Sequence, residues 1–136
     1  MDYEQMTAPC GLACFNCYVY LANENNQIRS MVAKALNIPE EDAVCQGCRN
    51  ECGNCKANPL ECHVYPCVEE TGLKFCSECS DFPCDNLHPY ADQAAKVPHN
   101  IKVFNLCLIK KMGLEKWAKE KSNEVKDTYF SGKLKL

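Results

Sequence analysis

The sequence predicts a small metal-stabilised domain, α-rich or α+β, in which cysteine-rich zinc-knuckle loops pack with several helices and little regular sheet forms. Three observations predict it. Thirteen of the 136 residues are cysteine, and twelve of them lie between Cys10 and Cys84. Four pairs have the spacing C-x2-C: Cys14/Cys17, Cys45/Cys48, Cys52/Cys55 and Cys76/Cys79. That spacing carries two sulfurs from one tight turn to the same metal ion. The rest of the chain is polar: mean hydropathy is -0.36, and without its cysteines the hydrophobic share of 46% falls to about 36%. The first 84 residues therefore need coordinate or covalent crosslinks in place of a large apolar core.

The length fits one domain, residues 1–136, with a cysteine-rich part over 1–84 and a helical part with a short extended tail over 85–136. In the first region, the cluster Cys10-Gly-Leu-Ala-Cys14-Phe-Asn-Cys17 is followed by a short helix over Tyr18 to Leu21. A longer helix comes next, because Ile28, Met31, Val32, Ala35 and Leu36 recur at three- and four-residue steps. Asn25 or Asn26 is its cap, and Asn37 and Pro39 end it. The segment Val44 to Pro83 has no sustained apolar period, so only turns and strand fragments are expected, ordered by metal. Asp85 to Ala95 reads as a short helix interrupted at His88-Pro89. Asn100 is the expected N-cap of a longer one, with Ile101, Phe104, Leu108 and Met112 on one stripe. Gly113 breaks it, a further amphipathic turn begins at Leu114, and the tail from Asp127 to Leu136 reads as extended. Cys107, inside the apolar helix, reads as a buried core thiol.

Zinc takes four ligands in a tetrahedral array, so twelve cysteines make three sites. The candidate metal ligands are Cys10, Cys14, Cys17, Cys45, Cys48, Cys52, Cys55, Cys62, Cys67, Cys76, Cys79 and Cys84. Proximity in the chain favours Cys10, Cys14 and Cys17 acting together, and Cys76, Cys79 and Cys84 together. Which cysteines share a site stays open, as does a role for His63 beside Cys62. His88 and His99 read as surface loop or cap residues. Iron–sulfur is the competing cofactor. Cys10-x3-Cys14-x2-Cys17 looks like the three-cysteine motif of radical SAM enzymes, but the chain lacks the strand–helix alternation of their partial barrel. Cys45 to Cys55 approaches the ferredoxin run but departs in its middle gap.

Disulfides are disfavoured by an odd cysteine count and by an N-terminus without a basic and apolar leader, so a reduced, cytoplasmic setting is expected. No stretch approaches the apolar length that spans a bilayer. The formal charge is -3 and the pI near 5.6. Each four-thiolate zinc adds about two negative charges. This argues against a nucleic-acid partner, which would need a basic face, and leaves the partner open, another protein being one candidate. The late lysines, Lys110, Lys111, Lys116, Lys119 and Lys121, read as a solvated helix face. No phosphate-binding glycine loop, nucleophile elbow or metalloprotease motif occurs. The acid pairs Glu69/Glu70 and Glu78/Asp81 look like charged turns.

The order Cys10-Gly-Leu-x-Cys14-x-x-Cys17, Cys45-x-Gly-Cys48-Arg49 and Cys62-x4-Cys67 resembles a cysteine-rich family of bacteria and archaea, catalogued as domain of unknown function 3795. The likeness continues through Glu69-Glu70-Thr-Gly-Leu-Lys-Phe-Cys76-x-Glu-Cys79-x-Asp-Phe-Pro-Cys84. It reaches the helical segment Ile109-Lys-Lys-Met-Gly113-Leu-Glu-Lys-Trp117. The resemblance implies a zinc-binding protein without an assigned activity. Its motif covers ten cysteines and leaves Cys52 and Cys55 outside, so ten would fill two sites with two over. The expected function is thus an interaction or scaffold module with two or three structural zinc sites. The alternatives are an iron–sulfur redox protein clustered at Cys10/Cys14/Cys17, and a zinc enzyme with one open three-cysteine site.

Overall fold

The computed structural model describes residues 1–58 and 60–133. It is helix-rich, with six α-helices: α1 Tyr18–Leu21, α2 Asn26–Leu36, α3 Val64–Thr71, α4 Lys102–Met112, α5 Leu114–Glu120 and α6 Ser122–Ser131. No named strand forms among the described residues, and the pairing between Thr7 and Ala13 is an isolated bridge.

Helix α2 forms where the sequence places it. The Asn25 side chain accepts from the backbone N–H groups of Gln27 and Ile28 at 3.0 and 3.1 Å, which satisfies two of the helix's free donors. Asn37 stops it in the left-handed conformation at φ 55. Its buried face is turned from the expected stripe. Val32 and Ala33 pack with Ala43, Ile28 and Leu36, while Met31 is half exposed.

Six expectations are corrected. The segment Val44 to Pro83 contains a helix, α3, because Val64 and Val68 stand one turn apart and both enter the main core. Pro66 sits in its first turn, where its missing N–H has no partner to lose, and Gly72 ends it at φ 70. The residues Asp127 to Ser131 are helical in α6, not extended. Gly132 follows in extended backbone, and Leu134 to Leu136 lie outside the described residues. Helix α4 is rotated from its predicted stripe. It buries Lys102, Asn105, Leu106 and Ile109, whereas Phe104 is 56% exposed and Cys107 is exposed rather than in the core. Asn100 does not cap α4. Its side chain accepts from the Tyr90 backbone N–H at 2.7 Å, holding the preceding loop. Asp85 to Ala95 forms two single 3-10 turns, Asp85–Leu87 and Ala91–Gln93.

The main core brings Met6, Ala8, Val64, Val68, Phe75, Leu87 and Leu106 around three thiols, Cys10, Cys14 and Cys76. Gly11 lets α4 reach them: a Cβ there would stand 2.9 Å from both Leu106 Cγ and the Lys102 carbonyl oxygen, and φ is +89. Asn105 Nδ2 donates to the Gly11 carbonyl at 2.8 Å. A second core, built on fully buried Trp117, takes Ile109, Ala118, Phe15 and Tyr3. Helix α6 closes on the first cysteine cluster. Asn16 Nδ2 donates to Ser122 Oγ at 3.2 Å, and Lys126 Nζ donates to the Asn16 carbonyl at 3.0 Å.

Candidate metal centres

All thirteen cysteines are free thiols, and the fold gathers eleven of them into three groups. The first is the tightest. Cys45 Sγ, a Glu51 carboxylate oxygen and Cys55 Sγ all lie within 4.8 Å of one another, and no other trio of His, Cys, Asp or Glu among the described residues is so close. Zinc–sulfur bonds of 2.3 Å would set tetrahedral sulfurs about 3.8 Å apart, so the trio is near metal-binding geometry. The chain between Cys45 and Asn58 winds through successive turns that aim these groups inward. Gly47 N donates to Cys45 Sγ at 3.3 Å, and Gln46 N donates to the Glu51 carboxylate at 2.8 Å. Cys45 Sγ donates to the Glu51 carboxylate at 3.3 Å, and interaction with the neighbouring Cys55 thiol, together with burial, lifts Cys45 far above its ordinary range. Cys17 adjoins this group. Burial pushes its thiol up, and a charge on Cys55 pushes it further.

The second group is Cys10, Cys14, Cys48 and Cys62. Cys48 N donates to Cys14 Sγ at 3.3 Å. Burial raises Cys48 well above the usual thiol range, and charge on Cys10, Cys14 or Cys62 would raise it more. Gly53, at φ +80, lets Cys62 in: a Cβ there would stand 3.2 Å from Cys62 Sγ and 2.7 Å from Tyr65 Cβ. Burial holds Cys14 up at about 12 and raises Cys10, where the Lys102 charge opposes it. These seven thiols, Cys10, Cys14, Cys17, Cys45, Cys48, Cys55 and Cys62, line one cavity of about 460 Å³.

The third group is Cys67, Cys76, Cys79 and Cys84. They line an apolar pocket of about 30 Å³ with Val64, Val68, Leu73, Phe82 and Leu87. Cys76 is anchored by its N–H to the Pro9 carbonyl at 3.0 Å. Burial carries its thiol up to about 12, with Cys10, Cys84, Cys67 and Cys79 adding to the rise. Asp81 N donates to Cys79 Sγ at 3.4 Å.

The expected triplet Cys76, Cys79 and Cys84 is thus brought together, with Cys67 beside it. Cys10, Cys14 and Cys17 line one cavity, where the charge of Cys17 is felt at Cys14 and that of Cys55 at Cys17. The pairs Cys45/Cys48 and Cys52/Cys55 divide. Cys52 is exposed and lies beside the Tyr65 hydroxyl. His63 and His88 are exposed. His99 is not a plain surface residue: its Nδ1 is buried without a partner. Glu69 and Glu70 are exposed, and Glu78 accepts from the Lys74 backbone N–H at 2.9 Å, a turn role. Sequence reading missed Glu51. Its only sign was an acid inside the run Cys45 to Cys55, and acids in turns are common. It also missed Lys102 and Asn105, polar residues three apart in the first half of α4 and both buried.

This is a helix-rich, cysteine-rich protein whose core includes buried thiols and whose Cys45, Glu51 and Cys55 are placed so that they could hold a metal ion. Residues 6–89 match the family described as protein of unknown function (DUF3795). The chain belongs to that family, as the cysteine pattern suggested. No curated protein and no solved structure matches it. No helix among the described residues is long and apolar enough to cross a membrane.

Proposed function

We propose that this chain is a thiolate metal-binding protein whose cysteines hold zinc in closed structural centres, and that it serves as an interaction or scaffold module. The pocket of Cys67, Cys76, Cys79 and Cys84 carries the reading. Its 30 Å³ is about the share of one liquid water, enough for a single ion and too small for a substrate. Four soft donors with apolar walls suit zinc, whose structural sites are four-coordinate. An ion there would tie α3 to the turn at Cys76–Glu78 and to the loop at Cys84. Displacing protons from buried thiols would couple metal uptake to folding. Cys17, Cys45, Cys55 and Glu51 form a second donor set of three sulfurs and one carboxylate. Cys10, Cys14, Cys48 and Cys62 form a third.

A second reading, an iron–sulfur cluster, is favoured by one observation. The space lined by seven thiols is far larger than one ion needs, so Cys10, Cys14, Cys48 and Cys62 have room for a polynuclear centre. Metal and acid-labile sulfide content of protein prepared without oxygen separates the readings. About two to three zinc per chain and no sulfide is expected. Iron with sulfide and broad visible absorption would establish the cluster. Less than about one metal per chain, with a fold unchanged by chelation, would refute both.

A further inference from the structure

The cavity of about 460 Å³ has a second wall that the thiols do not use, contributed by the loop Val97 to Ile101 and the start of α4. Lys102 stands there at 6% exposure. Its Nζ lies 5.8 Å from the centre of the Tyr90 ring and pairs with no carboxylate among the described residues. Its stem is buried while the ammonium, which is not shut off from solvent, lines the cavity without an anionic side chain to pair with among the described residues. The charge of Lys102 is felt at Cys10, and thiolates of the second group would balance part of it. They leave two other groups unexplained. Asn105, 1% exposed, spends its Nδ2 on the Gly11 carbonyl, while its Oδ1 is buried with no donor. His99 Nδ1 is also buried and unpartnered. Thiolate sulfur cannot donate to Asn105 Oδ1. A buried acceptor left without a donor costs the full desolvation of that group.

Lys102 and Asn105 are three apart on α4 and so share one face, within the reach of one small molecule. His99 precedes Lys102 by the same interval. The cavity falls in the size range of small-molecule sites, and Val97, Pro98 and Ile101 give it apolar sides. We infer that this wall binds a small carboxylate bearing a hydrogen-bond donor on the neighbouring carbon, its carboxylate on Lys102 and its donor on Asn105 Oδ1, beside the thiol centre. A hydroxy or amino acid has this pattern. The inference holds for either metal reading, because neither Lys102 nor Asn105 is a metal ligand.

The test is calorimetric titration of the metal-loaded full chain with L-lactate and with propionate, which lacks the hydroxyl, with metal content measured on the same samples. Saturable lactate binding is expected, with propionate weaker by about tenfold for the lost hydrogen bond to Asn105. Lys102→Met, which keeps most of the apolar stem, is expected to weaken lactate by about tenfold or more at unchanged metal content. Absence of saturable lactate binding to wild type at normal metal content would overturn the inference. Equal binding of lactate and propionate would do so too, without any variant that has to fold. A Lys102→Met protein that loses metal yet binds lactate as wild type does would show that the lysine is only the counter-charge of the thiolates. Low metal in wild type itself would instead count against the metal reading.

Discussion

The pocket beneath α3 and the cavity facing α4 are both walled by cysteine, yet one encloses about 30 Å³ and the other about 460 Å³. The small one draws four thiols from one stretch of chain, Cys67 to Cys84, and closes them with valine, leucine and phenylalanine. The large one draws seven thiols from Cys10 to Cys62 and is walled on its far side by polar groups of α4. Closure by local chain leaves no room for anything but an ion. Closure by a distant helix leaves space, and the groups facing that space are the buried Lys102 and Asn105 with their unspent hydrogen-bonding capacity.

The comparison breaks most decisively on metal removal. A strong chelator is expected to unfold the segment Cys10 to Cys84, because structural zinc contributes on the order of 10 kcal/mol to folding. The core around Trp117 should keep part of its helical signal. Near- and far-ultraviolet circular dichroism before and after chelation checks this, and unchanged near-ultraviolet spectra would remove metal from the account of the fold. Next in size, Cys76→Ser should cost about one metal per chain and lower Tm. Its loss should fall on the small pocket alone, with metal held by the seven-thiol cavity retained. Elemental analysis of the variant, alone and combined with Cys45→Ser, reads whether the two losses add.

Acid should distinguish the two spaces. Burial, with help from the Lys102 charge, lowers His99 from 6.5 to about 4. The fold therefore favours neutral imidazole. That contribution is whole above pH 6.5, declines as the unfolded chain takes up the proton, and is gone once pH falls through about 4. Its size is roughly 3 kcal/mol. Urea unfolding of wild type and His99→Leu across this range should show the extra acid loss in wild type only. Thiolates that protonate in both proteins cancel from the difference. The smallest effect expected is at Glu51. Glu51→Gln should weaken metal at Cys45 and Cys55 by about tenfold, measured by competition with a chromophoric chelator. Cys52→Ser and Cys107→Ser, both at exposed thiols, should leave metal content as it is.

The readable parts of this chain were those governed by local rules. Asn25 and Asn37 bounded α2 by capping and left-handed geometry, and Gly113 separated α4 from α5. Helix α3 was hidden because cysteines and charges break up the apolar period of an eight-residue element. Burial of Val64 and Val68 against the core overrides that weak local preference. The stripe through Phe104 misled because an apolar face was assumed to be the buried one. The close approach at Gly11 and the bond from Asn105 turn α4 the other way.

Cysteine count and spacing, with no reference to any fold, were enough to mark the chain as thiol-centred and to place it in its family. Spacing also suggested that Cys76, Cys79 and Cys84 act together, and the three, joined by short turns, line one small pocket. How the remaining sulfurs divide was decided only in three dimensions. A C-x2-C turn fixes the distance between its two sulfurs but not what lies beyond each. Cys48 N meets Cys14 Sγ, and seven sulfurs line one cavity, because chain segments far apart in sequence converge there. Lys102 and Asn105 owe their importance to the same convergence, since burial is what makes the unpartnered Asn105 acceptor costly enough to demand a donor.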